Sequence, residues 1–274
     1  MPKPLLAAVV LLACSAGGTG AAFAQMAPST CHAVANALPK ATFASFDGGG
    51  EASSLFAAVR RDEVTITYAH HSTYVIESPS GVTVATDYSG YAGPDVIPRI
   101  ATMNRAHSTH YTNVPDPGIE MVLKGWGEDG GPARHAATVE DVYIRNVPTD
   151  IRGYGGSEAD GNSIFVFEIA GLCIGHLGHL HHKLTDEDFA EIGRLDVVMV
   201  PVDGSWTLSQ EGMGETVERL RSQIVLPMHR FAGPIERFLE SLPGFAVERR
   251  DETSLTVSMK TLPDRPTVVI LRGV

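Results

Sequence analysis

Four of the chain's 11 histidines fall within seven positions, His176, His179, His181 and His182, in the stretch Cys173-Ile174-Gly175-His176-Leu177-Gly178-His179-Leu180-His181-His182. The stretch follows a run that reads as a strand, Ser163–Ile169, and a turn at Ala170-Gly171. Imidazoles gathered beyond a buried strand suit metal binding or proton transfer. Three other segments carry histidines past probable strand ends or in loops: His70-His71, His107-x-x-His110, and His229 after Ile224-Val225-Leu226-Pro227. A three-residue spacing lets two side chains face one point on a helical turn. Any one of these signals is weak. Together they describe a scaffold that brings scattered imidazoles to one edge, where sites commonly form.

The elements that must position them read as follows. Val64–Tyr68, Thr73–Glu77 and Val82–Thr86 alternate and form a strand meander, with Asp87 at its end. Val96–Met103 is a helix or an edge strand, residues 113–137 are mostly loop with a strand at Glu120–Leu123, and Val142–Asn146 is a strand. Gly153–Ser157 reads as a flexible loop. Thr185–Ile192 is a helix capped by Thr185 with three acids in its first turn. Asp196–Pro201 and Gln223–Pro227 are apolar enough to be buried on both faces. Ser209–Arg221 and Pro234–Ser241 are helices, and Phe245–Arg249, Ser254–Lys260 and Thr267–Leu271 are closing strands. Short helices are expected at Cys31–Leu38 and Glu51–Arg60. Strands first and strand–helix units afterwards suit two packed sheets with helices outside.

The 274 residues can bury a sizeable core, and the net charge of −11 argues against nucleic acid or anionic lipid as a partner. A small-molecule substrate is expected. Leu5–Ala13 is an apolar run too short to span a bilayer, and the small residues up to Ala24 read as a secretory signal over residues 1–24. Leu11-Leu12-Ala13-Cys14 offers a competing lipid anchor at Cys14, with simple cleavage after Ala24 favoured. Either way a periplasmic or secreted protein is expected, with an N-terminal extension over 25–63 and one domain over 64–274. In that oxidising setting Cys31 and Cys173 could pair. The simpler reading, favoured here, leaves Cys173 an unpaired apolar residue in a strand.

Over roughly residues 64–235 the chain resembles the metallo-β-lactamase superfamily, in particular its ascorbate-lactonase-like and N-acyl-phosphatidylethanolamine phospholipase-like hydrolases. The resemblance is carried by Tyr68-Ala69-His70-His71-Ser72-Thr73, Val84-Ala85-Thr86-Asp87, Gly161–Val166, His176-Leu177-Gly178-His179-Leu180, Asp196–Val202 and Ile224–His229. It implies a four-layer αββα sandwich and a metal-dependent hydrolase. The motif His-x-His-x-Asp-His aligns with Arg105-Ala106-His107-Ser108-Thr109-His110, so Arg105 replaces a histidine and Thr109 the aspartate. Thr149, beside Asp150, stands at a further histidine position, and His179 at the bridging aspartate position. The family's two-zinc site is therefore not encoded. What remains is His107, His110 and His229, with His179 as a new candidate ligand: a site for one zinc ion or another divalent transition metal. With Thr109 in place of a carboxylate, the base could be Asp150, Asp87 or His71. His71 is expected beside the ligands rather than among them, His176 as a non-ligand, and His181 and His182 as solvated loop residues. Arg105 could fill the space of a lost metal, and Trp126 and Tyr154 could line the pocket. The functional expectation is an exported hydrolase of an ester, lactone, amide or phosphodiester. The alternative is an inactive relative that binds a ligand or metal in the periplasm.

Overall fold

The computed structural model describes residues 29–32, 62–153, 156–231 and 233–274. The first sheet is built from β1 (Val64–His70), β2 (Thr73–Glu77), β3 (Thr83–Ala85), β4 (Ile100–Met103), β5 (Met121–Lys124) and the late strand β13 (Ser254–Val257). Its order is β13-β1-β2-β3-β4-β5. β1 shows why the sequence chooses a strand. Val64, Ile66 and Tyr68 turn inward while Thr65 and Thr67 stay half-buried, the period-two pattern of a sheet with one core face.

The second sheet contains β6 (Ala136–Val139), β7 (Val142–Gly153), β8 (Gly156–Ile169), β9 (Leu172–His176), β10 (Val197–Pro201), β11 (Ile224–Met228), β12 (Ala246–Arg249) and β14 (Thr267–Ile270). Its order is β12-β14-β11-β10-β9-β8-β7-β6. β9, β10, β11 and β14 pair in parallel, so their connections must cross over a face of the sheet. Three helices follow β9, β10 and β11 in turn: α1 (Asp186–Ile192), α2 (Gln210–Leu220) and α3 (Glu236–Glu240). Thr185 caps α1 in a reciprocal box with Asp188. Sandwiched between the sheets, Ile66, Tyr74 and Ile76 pack with Phe165, Phe167, Met199 and Leu226. Ile192, Met213, Val217 and Phe238 from the helices cover Val198, Val200, Val225 and Ile270 on the outer face of the second sheet. Burial on both faces explains the unbroken apolar runs of β10 and β11. The outer face of the first sheet is covered among the described residues by Tyr88, Ala92, Tyr111, Ile119 and Trp126. This is the α/β sandwich that the sequence implies.

Several local expectations are corrected. Val96–Met103 yields the short strand β4, which lies inside its sheet between β3 and β5. β6 forms within the region expected to be loop, because its backbone completes the ladder of β7. β7 and β8 continue well beyond the expected strands and close as a hairpin pairing Gly153 with Gly156. β13 stops at Val257. The largest correction concerns the cysteines: Cys31 and Cys173 form a disulfide. The sequence favoured an unpaired Cys173 because a buried strand cysteine looks alike whether paired or free. The bond holds the 29–32 segment against β8 and β9, where Ser29 and Thr30 also hydrogen-bond Glu168. Glu168 in turn pairs with the buried Arg145. The signal segment, Cys14, the Glu51–Arg60 helix, most of the Cys31–Leu38 helix and Tyr154 lie outside the described residues.

A bridge closing 142 residues removes up to about 5 kcal/mol of chain entropy from the unfolded state. Reduction, or Cys31→Ser, is expected to lower stability by roughly 2–5 kcal/mol in urea unfolding. Equal stability of the reduced and oxidised forms would contradict this.

Candidate metal centre

The carboxyl ends of β3, β4, β9, β10 and β11 supply the site. After β3 comes Asp87, after β4 the 104–110 loop, after β9 the 177–179 turn, after β10 Asp203 and after β11 His229. The turn between β1 and β2 adds His71, whose carbonyl accepts a 2.7 Å bond from the His229 backbone N–H and ties the two sheets together there. His71, Asp87 and His229 all have left-handed backbones, with φ of 45°, 42° and 53°. Such strain in non-glycine residues collects at functional sites.

His71, His107, His110 and His229 each offer a ring nitrogen, and the four nitrogens lie within 4.8 Å of one another. The outward ring nitrogens of His107, His110 and His229 have partners. His110 Nδ1 donates to Asp87 Oδ2 at 2.6 Å and has Ser72 Oγ at 3.1 Å. His229 Nδ1 lies 3.1 Å from Asp203 Oδ1, and His107 Nδ1 lies 2.7 Å from Thr109 Oγ1. The inward nitrogens are left over: His71 Nε2 and His110 Nε2 are buried without a hydrogen-bond partner. Buried polar atoms are rarely left this way without a reason. His179 adds both of its ring nitrogens to that count.

The donor set fits a metal ion. With metal–nitrogen bonds of about 2.1 Å, two nitrogens on one tetrahedral ion sit about 3.4 Å apart. His229 Nε2 and His107 Nε2 are 3.4 Å apart. Outer nitrogens held by carboxylates or hydroxyls, with inner ones turned toward one another, is the arrangement that orients imidazole ligands.

The surroundings disfavour the protonated forms of His71, His107, His110 and His179. Burial, reinforced by the neighbouring His229 and His107, holds His71 down to about 3. Burial and the neighbouring His110 and His229 hold His179 down to about 2. His110 and His107 are lowered in the same way, by burial first and His229 second. Neutral imidazole is the form that ligates metals. Burial raises Asp87, although Asn104 donates to its other oxygen at 2.8 Å and supports its charge. Burial alone would raise Asp203, but hydrogen bonds from His229, Thr207 and the Trp206 backbone hold it well below the usual carboxylate range.

Comparison with known proteins places this centre in a family. Residues 65–229 match the model of a beta-lactamase superfamily domain. The chain belongs to the metallo-β-lactamase superfamily. A structure from Thermotoga maritima, provisionally described as a Zn-dependent hydrolase of this superfamily, aligns with TM-score 0.56 and 25% identity, covering 76% of this chain and 98% of that one. The metallo-beta-lactamase fold protein YhfI from Bacillus subtilis shares the fold with TM-score 0.52 at 11% identity, over 77% of this chain and 97% of that one. A curated relative from Pyrococcus furiosus named a metal-dependent hydrolase is 30% identical over 114 residues, which is 41% of this chain and 47% of the relative. The chain thus spans about half the length of that relative.

Within the superfamily fold, three of the four expected ligands, His107, His110 and His229, come together; the fourth, His179, is outside the four-nitrogen group, with its ring 5.0–5.3 Å from theirs. His71, expected beside the ligands, stands inside the group. Asp87 is fully buried behind His110. Asp150 is apart from the group, in the β7–β8 hairpin, where its carboxylate accepts from the Asp160 backbone. Arg105 does not fill a metal position, because its guanidinium pairs with Glu158 at 2.9 Å and is half exposed. His176 is structural: Nε2 donates to Ser72 O and Nδ1 accepts from Gly178 N. His181 and His182 are half-buried rather than fully solvated. Trp126 lines a cavity of about 560 Å³ with Tyr111 and Lys124. The cleft that opens onto His107 holds about 580 Å³ and is walled by Tyr111, Trp206 and Phe231.

The residue that the sequence reading missed is Asp203. It lies one position beyond the Asp196–Val202 run, and an aspartate just past a buried strand was the available signal. Asp87→Asn and Asp203→Asn are each expected to weaken metal binding 10- to 100-fold. Glu158→Gln, on the partner of Arg105, should leave it unchanged. Competition with a chromophoric chelator measures all three, and equal affinities throughout would refute the assignment of the carboxylates.

Proposed function

We propose that the chain is an exported metal-dependent hydrolase in which His107, His110 and His229 hold one divalent transition ion, zinc first among the candidates. The observation that carries this reading is the convergence of four imidazole nitrogens within 4.8 Å of one another, with His110 Nε2 buried and unpartnered and the opposite sides of His110 and His229 tied to Asp87 and Asp203. When bound, the ion would lower the pKa of a water to about 7 and polarise the scissile bond.

The chain's own residues supply the remaining work. Asp87 and Ser72 fix the His110 ring with Nε2 toward the centre. Asp203 does the same for His229, and the Thr109 hydroxyl, at the motif's aspartate position, orients His107. Of the three candidate bases, His71 has an unpartnered nitrogen at the cluster. Its pKa near 3 makes it a weak base. Tyr111, Trp206 and Phe231 would exclude water and grip an apolar part of an ester, lactone, amide or phosphodiester. Export is supported by the apolar N-terminal run and by the Cys31–Cys173 bridge, which needs an oxidising compartment to persist.

One feature favours a second reading, a metal- or ligand-binding protein without turnover. If His71, His107, His110 and His229 all ligate, a four-coordinate ion has no position left for water.

The test is elemental analysis of untagged protein, with His107→Ala and His229→Ala beside the wild type. One ion per chain is expected, lost in both variants. Hydrolysis of a panel of activated esters and lactones should fall at least 100-fold on chelation and return with added zinc. A wild type that takes up no metal even when zinc is offered defeats the hydrolase reading and leaves a ligand-binding role alone. One that holds metal tightly without hydrolysing any substrate favours the second.

A further inference from the structure

The rings of His107, His110 and His229 form a triangle with centre-to-centre separations of 4.5, 4.9 and 5.5 Å. His71 contacts all three, at 5.7, 5.3 and 4.2 Å. His179 also contacts all three, at 5.3, 5.1 and 5.0 Å. Of the ten pairs among these five rings, nine are in contact, and the exception is His71 with His179. Two points that both touch every corner of a triangle, but not each other, lie on opposite sides of it. His71 and His179 therefore cap opposite faces.

The two caps are held differently. His179 is fully buried, and both of its ring nitrogens lack partners. Its backbone N–H is pinned to Asn162 Oδ1 at 2.8 Å. The preceding Gly178 has φ +60°, and a Cβ there would lie 2.3 Å from Asn162 Oδ1 and 2.4 Å from Asn104 Nδ2. The turn can only be made by glycine and has no slack. His71 is half-buried and its ring contacts that of Phe231, which walls the cleft.

Resting on the hydrolase reading, we propose that the centre is a five-imidazole cage for one late transition ion, with His179 as the permanent inner ligand and His71 as the outer ligand that gives way to substrate. His71 Nε2 would be the donor that yields its place to an oxygen of water or substrate. No bond in the protein breaks. An all-nitrogen donor set suits zinc, copper and nickel and disfavours magnesium, calcium and manganese. With His71 displaced, four imidazoles would remain, and the oxygen of water or substrate would enter as a fifth donor.

The test uses full-length mature protein, stripped of metal and reloaded with cobalt(II) or zinc(II), in wild type, His179→Leu and His71→Ala. An imidazole with two buried unpartnered nitrogens serves the ion and not the fold. His179→Leu should therefore raise the melting temperature of the apoprotein by roughly 3–8 °C. The same substitution should abolish most of the rise that zinc gives the wild type. His71→Ala should keep one ion per chain with affinity within about tenfold, while the visible cobalt bands intensify as coordination number falls. A lower apoprotein melting temperature in His179→Leu with an intact zinc response would make His179 structural and overturn the proposal. Complete loss of metal in His71→Ala would exchange the two roles and overturn it equally. A wild type without metal fails the hydrolase reading itself, whereas either variant result against a metal-loaded wild type fails only the cage.

Discussion

The hydrogen bond from His110 Nδ1 to the Asp87 carboxylate is the contact on which the site's order depends. Both groups are fully buried, so neither can turn to water. Donating Nδ1–H to Asp87 leaves the His110 Nε2 lone pair directed at the cluster, and Asn104 stabilises the carboxylate from its other side. Asn104 also accepts from the Ser163 backbone, which carries the same constraint into β8. Removing one partner of such a pair strands a buried polar or charged group and costs several kcal/mol. The arrangement thus survives only as a whole.

The sandwich supplies what this network costs. Left-handed backbones at His71, Asp87 and His229 each cost about 1–3 kcal/mol, and unpartnered imidazole nitrogens add to that. Two large buried clusters, one between the sheets and one beneath the helices, hold strand ends where these residues cannot relax. The Cys31–Cys173 bridge acts at the other end of β9, near Arg194 and α1, and anchors the strand that leads into His176 and His179.

Much of this was legible in the sequence, for identifiable reasons. β10 and β11 read as buried because an unbroken apolar run has few other fates, and the capped helix at Thr185 carries its signal within four residues. His229 was legible because it follows a recognisable buried strand, and His107 and His110 through their spacing and the motif they resemble. What escaped depended on pairing between segments. β6 has little apolar pattern of its own and is a strand through its short hairpin with Val142–Arg145 of β7. The disulfide joins positions 142 residues apart. His71 and Asp203 owe their places to the way two sheet edges meet, through the His229–His71 backbone bond and the His229–Asp203 pair. Spacing along the chain cannot encode that meeting.

The substitutions at Thr109 and His179 look at first like decay of a metal site, since both replace carboxylates of the superfamily motif. The charge arithmetic argues otherwise. A divalent ion among neutral imidazoles in a buried site would be left uncompensated, which is strongly unfavourable. Here two carboxylates remain one hydrogen bond further out, Asp87 behind His110 and Asp203 behind His229. Moving negative charge from the ligands to their supporters keeps the centre electrically balanced while making the inner donors uniformly nitrogen. Decay would be expected to remove the supporters along with the ligands. That both carboxylates are in place, buried and correctly bonded, is the strongest physical argument that this centre was rebuilt around a metal rather than abandoned.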